Sequence, residues 1–265
     1  MILATDGDFN VGASSQGELQ RLIEEKRKGG VFLTVLGFGR GNLQDDRMET
    51  LADKGNGNYG YIDSLAEARK MLVREAGATL VTIAKDVKLQ VEFNPSHVSA
   101  YRLIGYENRT LAARDFNDDK KDAGEIGAGH TVTALYEIVP VGSEEPAARP
   151  AVDPLRYQKP SSESAAADSG ELLTLKLRYK PPTGKKSRLI THTLSDHHRA
   201  LSATSPAFRF SAAVAGFGML LQRSKHAGDM SVSQLRELAR GARGEDPHGD
   251  RQQLVQLMGA AQRLL

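Results

Sequence analysis

The first residues set a strong constraint. Ile2-Leu3-Ala4-Thr5 is a short, largely apolar run that ends at once on Asp6-Gly7. Such a run reads as a buried strand that hands a carboxylate to the loop after it. In parallel α/β sheets, that end of the strand is where ligands bind. A parallel strand also needs a long crossover before its neighbour, usually a helix. The chain supplies one. Ser15-Gln16-Gly17-Glu18 fits a capping box, and Leu19, Leu22 and Ile23 mark one helical face. Gly29-Gly30 ends the helix, because glycine accepts the left-handed cap. Val31 to Leu36 then reads as a second buried strand. Ser64-Leu65-Ala66-Glu67 is another capping box, followed by Ala68, Met71, Leu72 and Ala76. Residues 1–84 therefore predict strands and helices in alternation, joined by right-handed crossovers into a parallel sheet.

From about residue 85 the period changes to two. Val87, Leu89, Val91 and Phe93 alternate with polar residues. Val132, Ala134, Tyr136 and Ile138 do the same, as do Leu173, Leu175, Leu177 and Tyr179. This predicts an antiparallel, half-buried β-rich region over 85–205. Residues 142–170 interrupt it with four prolines among Ala, Ser and Glu, and read as a mobile linker. The simplest arrangement pairs strands from both sides of it. Residues 206–265 predict a helical C-terminal tail with three apolar stripes. The first holds Phe210, Val214, Phe217, Leu220 and Leu221, the second Leu235, Leu238, Ala239 and Ala242, and the third Leu254, Leu257, Met258, Ala261 and Leu265. These stripes pack on the β region or on one another.

Composition narrows the function. Thirty-five basic residues against 33 acidic ones leave a net charge of +2, without the basic stripe of a nucleic-acid binder. Aromatics are 6% with no Trp, which argues against base-stacking platforms. The absence of cysteine excludes disulfides, thiol catalysis and thiolate zinc sites. Met1-Ile2-Leu3 shows no basic leader and leads straight to Asp6. No segment approaches the ~20 apolar residues of a membrane-spanning helix.

The Thr5-Asp6-Gly7 loop resembles the central metal-site loop of von Willebrand factor type A domains. Leu33-Thr34-Val35-Leu36-Gly37-Phe38-Gly39 is similar to that family's next strand. Met48 to Ala52 and Gly55 to Asp63 are similar to the helix and strand after it. Among type A domain proteins, the chain most resembles the bacterial YfbK-like family. Asn94-Pro95, the segments 101–109, 115–119 and 127–137, and the helix around Phe217 carry that likeness. The resemblance implies a truncated type A parallel sheet with helices, followed by an antiparallel β-rich region and the helical tail. It implies a Mg²⁺ or Mn²⁺ site built from three loops, of which Asp6 alone carries over. The family's Asp-x-Ser-x-Ser loop and its threonine loop belong upstream, so the chain reads as the C-terminal part of a longer protein. The expected role is a protein-interaction module of the periplasm or cell envelope, with a protein partner, an incomplete metal site and no catalysis. One edge of its truncated sheet is expected to be bare, hence poorly stable or completed by a partner.

Other patterns are weighed against this reading. Asp6-Gly7-Asp8 also fits a Mg²⁺-dependent phosphatase of the haloacid dehalogenase type, one carboxylate as nucleophile and the other as acid/base. A structural scaffold without metal dependence is the third reading. Asp229-Met230-Ser231-Val232-Ser233 matches the missing metal motif literally, but Ser231 with Gln234 fits a helix capping box. Asp115-Phe116-Asn117-Asp118-Asp119 begins like a calcium loop, yet Lys120 and Ile126 stand where Gly and Glu are needed, so it reads as a solvated turn. His192, His197 and His198 read as a surface turn. Gly37-Phe38-Gly39-Arg40-Gly41 lacks the glycine spacing and the following helix of a dinucleotide loop.

Overall fold

Three parallel strands open the chain, β1 (Ile2–Thr5), β2 (Thr34–Phe38) and β3 (Tyr59–Ile62), in the order β1-β2-β3. The computed structural model describes residues 1–6, 16–39, 43–105, 110–121, 123–143 and 164–264. Helices α1 (Gln16–Lys28) and α2 (Asp45–Lys54) make the crossovers. Ser15, expected to cap α1, lies outside the described residues. The end of α1 is resolved by its bonding. Gly30 takes φ +84° and donates to the Arg27 carbonyl at 2.8 Å, while Val31 N–H donates to the Lys26 carbonyl at 3.1 Å. This is the Schellman pattern, with Gly30 in the left-handed position. It recruits Val31 into the helix end and leaves it 47% exposed. The second strand therefore starts at Thr34, three residues later than the apolar run suggests.

Ile23, Leu33, Val35, Met48, Leu51 and Ala52 form the core on one face of this sheet, with Leu3, Leu19 and Tyr59 against it. Each fully buried aliphatic side chain contributes about 1.5–3 kcal/mol relative to exposure. Gly57 permits the close approach: a Cβ there would fall 1.9 Å from the Leu33 carbonyl oxygen. The predicted helix after Ser64 is broken into three pieces. They are α3 (Leu65–Arg69), a π-helical turn (Lys70–Arg74) and α4 (Ala76–Leu80). Ser64 Oγ accepts the Glu67 N–H at 3.2 Å, as the capping reading requires.

A second sheet has the order β6-β4-β8-β9, formed by β4 (Thr82–Phe93), β6 (Gly124–Gly127), β8 (Glu171–Lys180) and β9 (Arg188–Ser195). β5 (Val98–Ile104) pairs antiparallel with β7 (Leu135–Pro140). Strands on either side of residues 142–170 do pair, through β4 and β8. Most of that expected linker, 144–163, lies outside the described residues. Its end is ordered as a 3₁₀ turn, Ala165–Asp168, with Ala167 buried. β7 starts at Leu135, and Val132 stays exposed outside any strand.

The alternation read in β4 is inverted locally. Asp86 and Lys88 are buried, whereas Leu89 is 51% exposed. Asp86 takes φ +52°, and the β4–β6 register shifts between Ala84 and Val87. A bulge of this kind adds one residue to one strand and reverses the facing of the side chains that follow. Farther along, Phe93 returns to apolar company, with ring centroids of Tyr101 at 4.6 Å and Tyr136 at 5.5 Å.

The tail forms α5 (Pro206–Leu221), α6 (Val232–Gly241) and α7 (Asp250–Ala261). They pack on one another around Ala213, Phe217, Leu235, Ala239, Val255 and Met258. The mixed α/β architecture expected from the sequence is thus present: a parallel sheet with helices, antiparallel pairings and C-terminal helices. The chain forms two compact units, each assembled from three segments. The first holds Met1–Val91, Leu111–Val132 and Leu175–His192, the second Glu92–Thr110, Thr133–Thr174 and Thr193–Leu265.

Candidate functional site

Asp6 stands immediately beyond β1 and is exposed. Beside it, Gly39 immediately follows β2, with φ +103°, and a Cβ there would lie 3.8 Å from the Asp6 Cβ. The loops here are tied together by hydrogen bonds. Gln44 N–H donates to the Asp6 carbonyl at 3.4 Å, and the Tyr61 hydroxyl donates to the Gly39 carbonyl at 2.8 Å. The Tyr59 hydroxyl donates to the Asp45 carboxylate at the start of α2. Burial, and then the Asp45 carboxylate, push the Tyr59 phenol well above its usual range. These bonds link the strand ends around Asp6.

The donor set falls short of a metal centre. Among the described residues, no three His, Cys, Asp or Glu side chains converge. A hard cation takes about six oxygens, so these residues do not by themselves fit Mg²⁺ or Mn²⁺. Asp8, the second carboxylate of the phosphatase reading, lies outside the described residues, as do Arg40 and Gly41.

A different cluster, not anticipated from the sequence, lies in the first unit. The bulge turns Asp86 inward, where Lys88 Nζ stands 3.4 Å and Lys180 Nζ 2.9 Å from its two oxygens. Neither oxygen has an aligned hydrogen bond, so the contacts are ionic. Each lysine also donates to a backbone carbonyl, Lys88 to Asp118 and Lys180 to Asp119, both at 2.6 Å. Arg178 donates to Asn117 Oδ1 at 3.1 Å and to Ser187 Oγ at 2.7 Å, with its guanidinium 5.7 Å from the Phe116 ring centroid. Ser187 Oγ donates to Asp119 Oδ1 at 2.6 Å. That bond is the main cause holding the Asp119 carboxyl below the usual range, with Lys180 and Arg178 adding to it. The 115–119 segment is thus no free solvated turn. Phe116 is buried, and the following carbonyls cap two lysines. Every cation here is engaged by protein oxygens, which suits a structural pin better than a ligand site. The acidic segment and the basic strand were both visible in the sequence, but only the bulge brings them together.

The other motifs resolve simply. Ser231 Oγ accepts the Gln234 N–H at 3.3 Å, and Gln234 Oε1 accepts the Ser231 N–H at 3.0 Å. Asp229-x-Ser-x-Ser is therefore a helix cap. His197 and His198 follow a turn in which Asp196 accepts the His198 N–H at 2.7 Å. His192 instead sits within β9, a strand the sequence reading missed, although Leu189-Ile190-Thr191 is rich in β-branched residues. A cavity of about 480 Å³ lies in the second unit, beside Glu92, Phe93 and Asn94. The Asn94 amide crosses there to the Ala167 and Glu171 carbonyls at 3.1 and 2.8 Å.

Comparison with known proteins bears on identity. The family model described as "Uncharacterized protein YfbK, C-terminal" matches residues 78–264. The chain is 41% identical over 261 residues to the "Uncharacterized protein YfbK" of Escherichia coli (strain K12). That alignment covers 98% of this chain and 44% of the relative, so the chain spans less than half of the relative's length. Among solved structures, a "von Willebrand factor type A from Catenulispora acidiphila" is similar with TM-score 0.35 and 15% identity, over 91% of this chain and 55% of the other. The human COPII-coat protein Sec24c is similar with TM-score 0.38 and 12% identity, over 91% and 29%. Both structural likenesses are too remote to carry an inference. The sequence relationship is not: this chain belongs to the YfbK family, whose C-terminal region it contains.

Proposed function

We propose that the chain serves as part of a von Willebrand type A protein-interaction module at the bacterial cell envelope, and that it is not an enzyme. The observation that supports this reading is Asp6. It is an exposed carboxylate at the carboxyl end of an outer parallel strand of the described sheet, with Gly39, just past the end of the neighbouring strand, beside it. Ligands of α/β sheets bind at that end. In this reading Asp6 supplies one oxygen to a divalent-cation site that the present residues leave incomplete. The remaining ligands and the partner strand for β1 come from the amino-terminal part of a whole YfbK-like protein.

The test joins this chain, at the start of its alignment, to the preceding part of the Escherichia coli relative, and titrates Mg²⁺ calorimetrically. The chain alone is expected to bind no tighter than about millimolar, because one carboxylate makes a weak site. The joined protein binds more tightly, and Asp6→Asn weakens it at least tenfold. Tight binding by the chain alone, or an Asp6→Asn variant of unchanged affinity, overturns the assignment. Phosphatase turnover that disappears in Asp6→Asn would replace the interaction module by an enzyme. Fractionation of cells making the whole protein tests the envelope assignment, which a purely cytosolic pool would refute.

A further inference from the structure

β9 forms one border of the β6-β4-β8-β9 sheet, and all eight of its residues are exposed. Leu189, Ile190 and Leu194 are 51%, 51% and 44% exposed. Sheet borders are normally blunted by shortness, proline, lysine or a bulge. The opposite border, β6, has four residues and two glycines. β9 is twice as long and contains neither Pro nor Lys. Among the described residues, no further strand pairs with its outer edge, which presents a row of backbone donors and acceptors to any strand of matching pattern.

The pattern it matches is its own. In an antiparallel pair with a twofold axis at His192, directly opposite residues have numbers that sum to a constant, and each contact occurs twice. Ile190 then faces Leu194 and His192 meets its own copy on one face of the sheet, and Arg188 comes opposite Asp196, the residue immediately beyond the strand. Leu189 faces Ser195 and Thr191 faces Thr193 on the other. Opposite charges close both ends, Ile190 meets Leu194 and threonines pair, combinations that favour cross-strand contact, while Leu189 meets Ser195. A register shifted by one residue places Arg188 opposite Ser195 and loses the charge match. Asp196 is 41% exposed at its side chain and engages His198 through both oxygens, Oδ2 lying 3.1 Å from the imidazole and Oδ1 accepting the backbone N–H at 2.7 Å, so Arg188 of the second copy would share this carboxylate with His198. Lys185 and Lys186 lie in the bend before the strand, outside the pairing.

We propose that β9 is a self-recognition strand, through which two copies of this chain join their sheets edge to edge about His192. The occupant is a second copy because the twofold brings Arg188 opposite Asp196, Ile190 opposite Leu194 and Thr191 opposite Thr193. The proposal is independent of the Asp6 reading, which concerns a different sheet.

Sedimentation of the full chain at pH 8, from micromolar to several hundred micromolar, should show a monomer–dimer equilibrium. Arg188→Asp alone and Asp196→Arg alone each place like charges opposite one another, and each should weaken dimerisation at least tenfold. The double variant restores the opposite charges and should recover the wild-type constant within about threefold. These residues are exposed, so unchanged circular dichroism separates lost pairing from lost folding. The natural chain has no cysteine, which permits a second readout. His192→Cys, on the axis, should form an intermolecular disulfide readily, because directly opposed strand residues lie within bridging distance. Thr191→Cys should not. A monomer at all concentrations, a dimer indifferent to the single reversals, or a double variant that fails to recover would each overturn the proposal. Equal cross-linking at 191 and 192 would overturn the register.

Discussion

The C-terminal helices and the centre of the β4–β8 sheet bury opposite kinds of material. Between α5, α6 and α7 the fully buried side chains are apolar, from Phe217 and Leu235 to Met258. Between β4 and β8 lies an aspartate flanked by two lysines, roofed by the backbone of 115–119. The helices draw stability from area and shape, which tolerate conservative exchange. The ionic cluster depends on every partner being present, since removing one leaves uncompensated charge in a poorly solvated place. One region is resilient, and the other is an all-or-nothing arrangement that fixes a particular loop to a particular pair of strands.

Substitutions can break this contrast at several points. The largest effect is expected from Asp86→Asn. Asn keeps the left-handed backbone and roughly the same volume, yet strands the two lysines, at a cost of about 3–5 kcal/mol. Denaturant unfolding measures it; a loss below about 1 kcal/mol would show that water already solvates the cluster. Leu235→Ala, against Gly216 and the helix core, should cost about 2–5 kcal/mol. Leu235→Met at the same site should cost under about 1.5 kcal/mol. A similar loss for both would erase the proposed difference in tolerance.

Smaller changes sharpen it. Ser231→Ala removes a capping box from α6 and should cost about 1 kcal/mol, visible as faster amide exchange in the first turn of that helix. Ser187→Ala probes the exposed end of the ionic cluster. The Asp119 carboxyl is held down by that hydroxyl, so its contribution is present at neutral pH and lost as pH falls through its lowered value, below about 3.9. The variant should lose a little stability at pH 7 and converge with the wild type as pH falls below that range. Equal loss at pH 7 and pH 3 would assign the hydroxyl a packing role instead.

The contrast also explains what was legible in the sequence. Helical periodicity survives folding undisturbed, and the three apolar stripes became three packed helices. Val214 and Leu221 nonetheless remain 40% and 52% exposed on α5. Strand–helix alternation likewise gave the parallel sheet and put Asp6 at its carboxyl end. Alternation in β4 failed because a period of two has no tolerance: one extra residue at Asp86 moved Lys88 in and Leu89 out. No local feature marks that bulge beforehand, apart from the readiness of Asp to adopt positive φ. Val31 misled for a similar reason, since a helix-ending bond claimed it before the strand began. β9 is obscured in the sequence because Leu189-Ile190-Thr191 runs directly into the polar, histidine-bearing segment 192–198. The interleaving of the two units could not be read along the chain at all, because segment order carries no record of which pieces come together.

That interleaving limits how such a protein can be rearranged. Neither unit occupies a contiguous stretch of the gene, so a single recombination event cannot transplant one and leave the other whole. Inheritance of the two as an indivisible package follows from the threading itself, whatever each contributes to the cell.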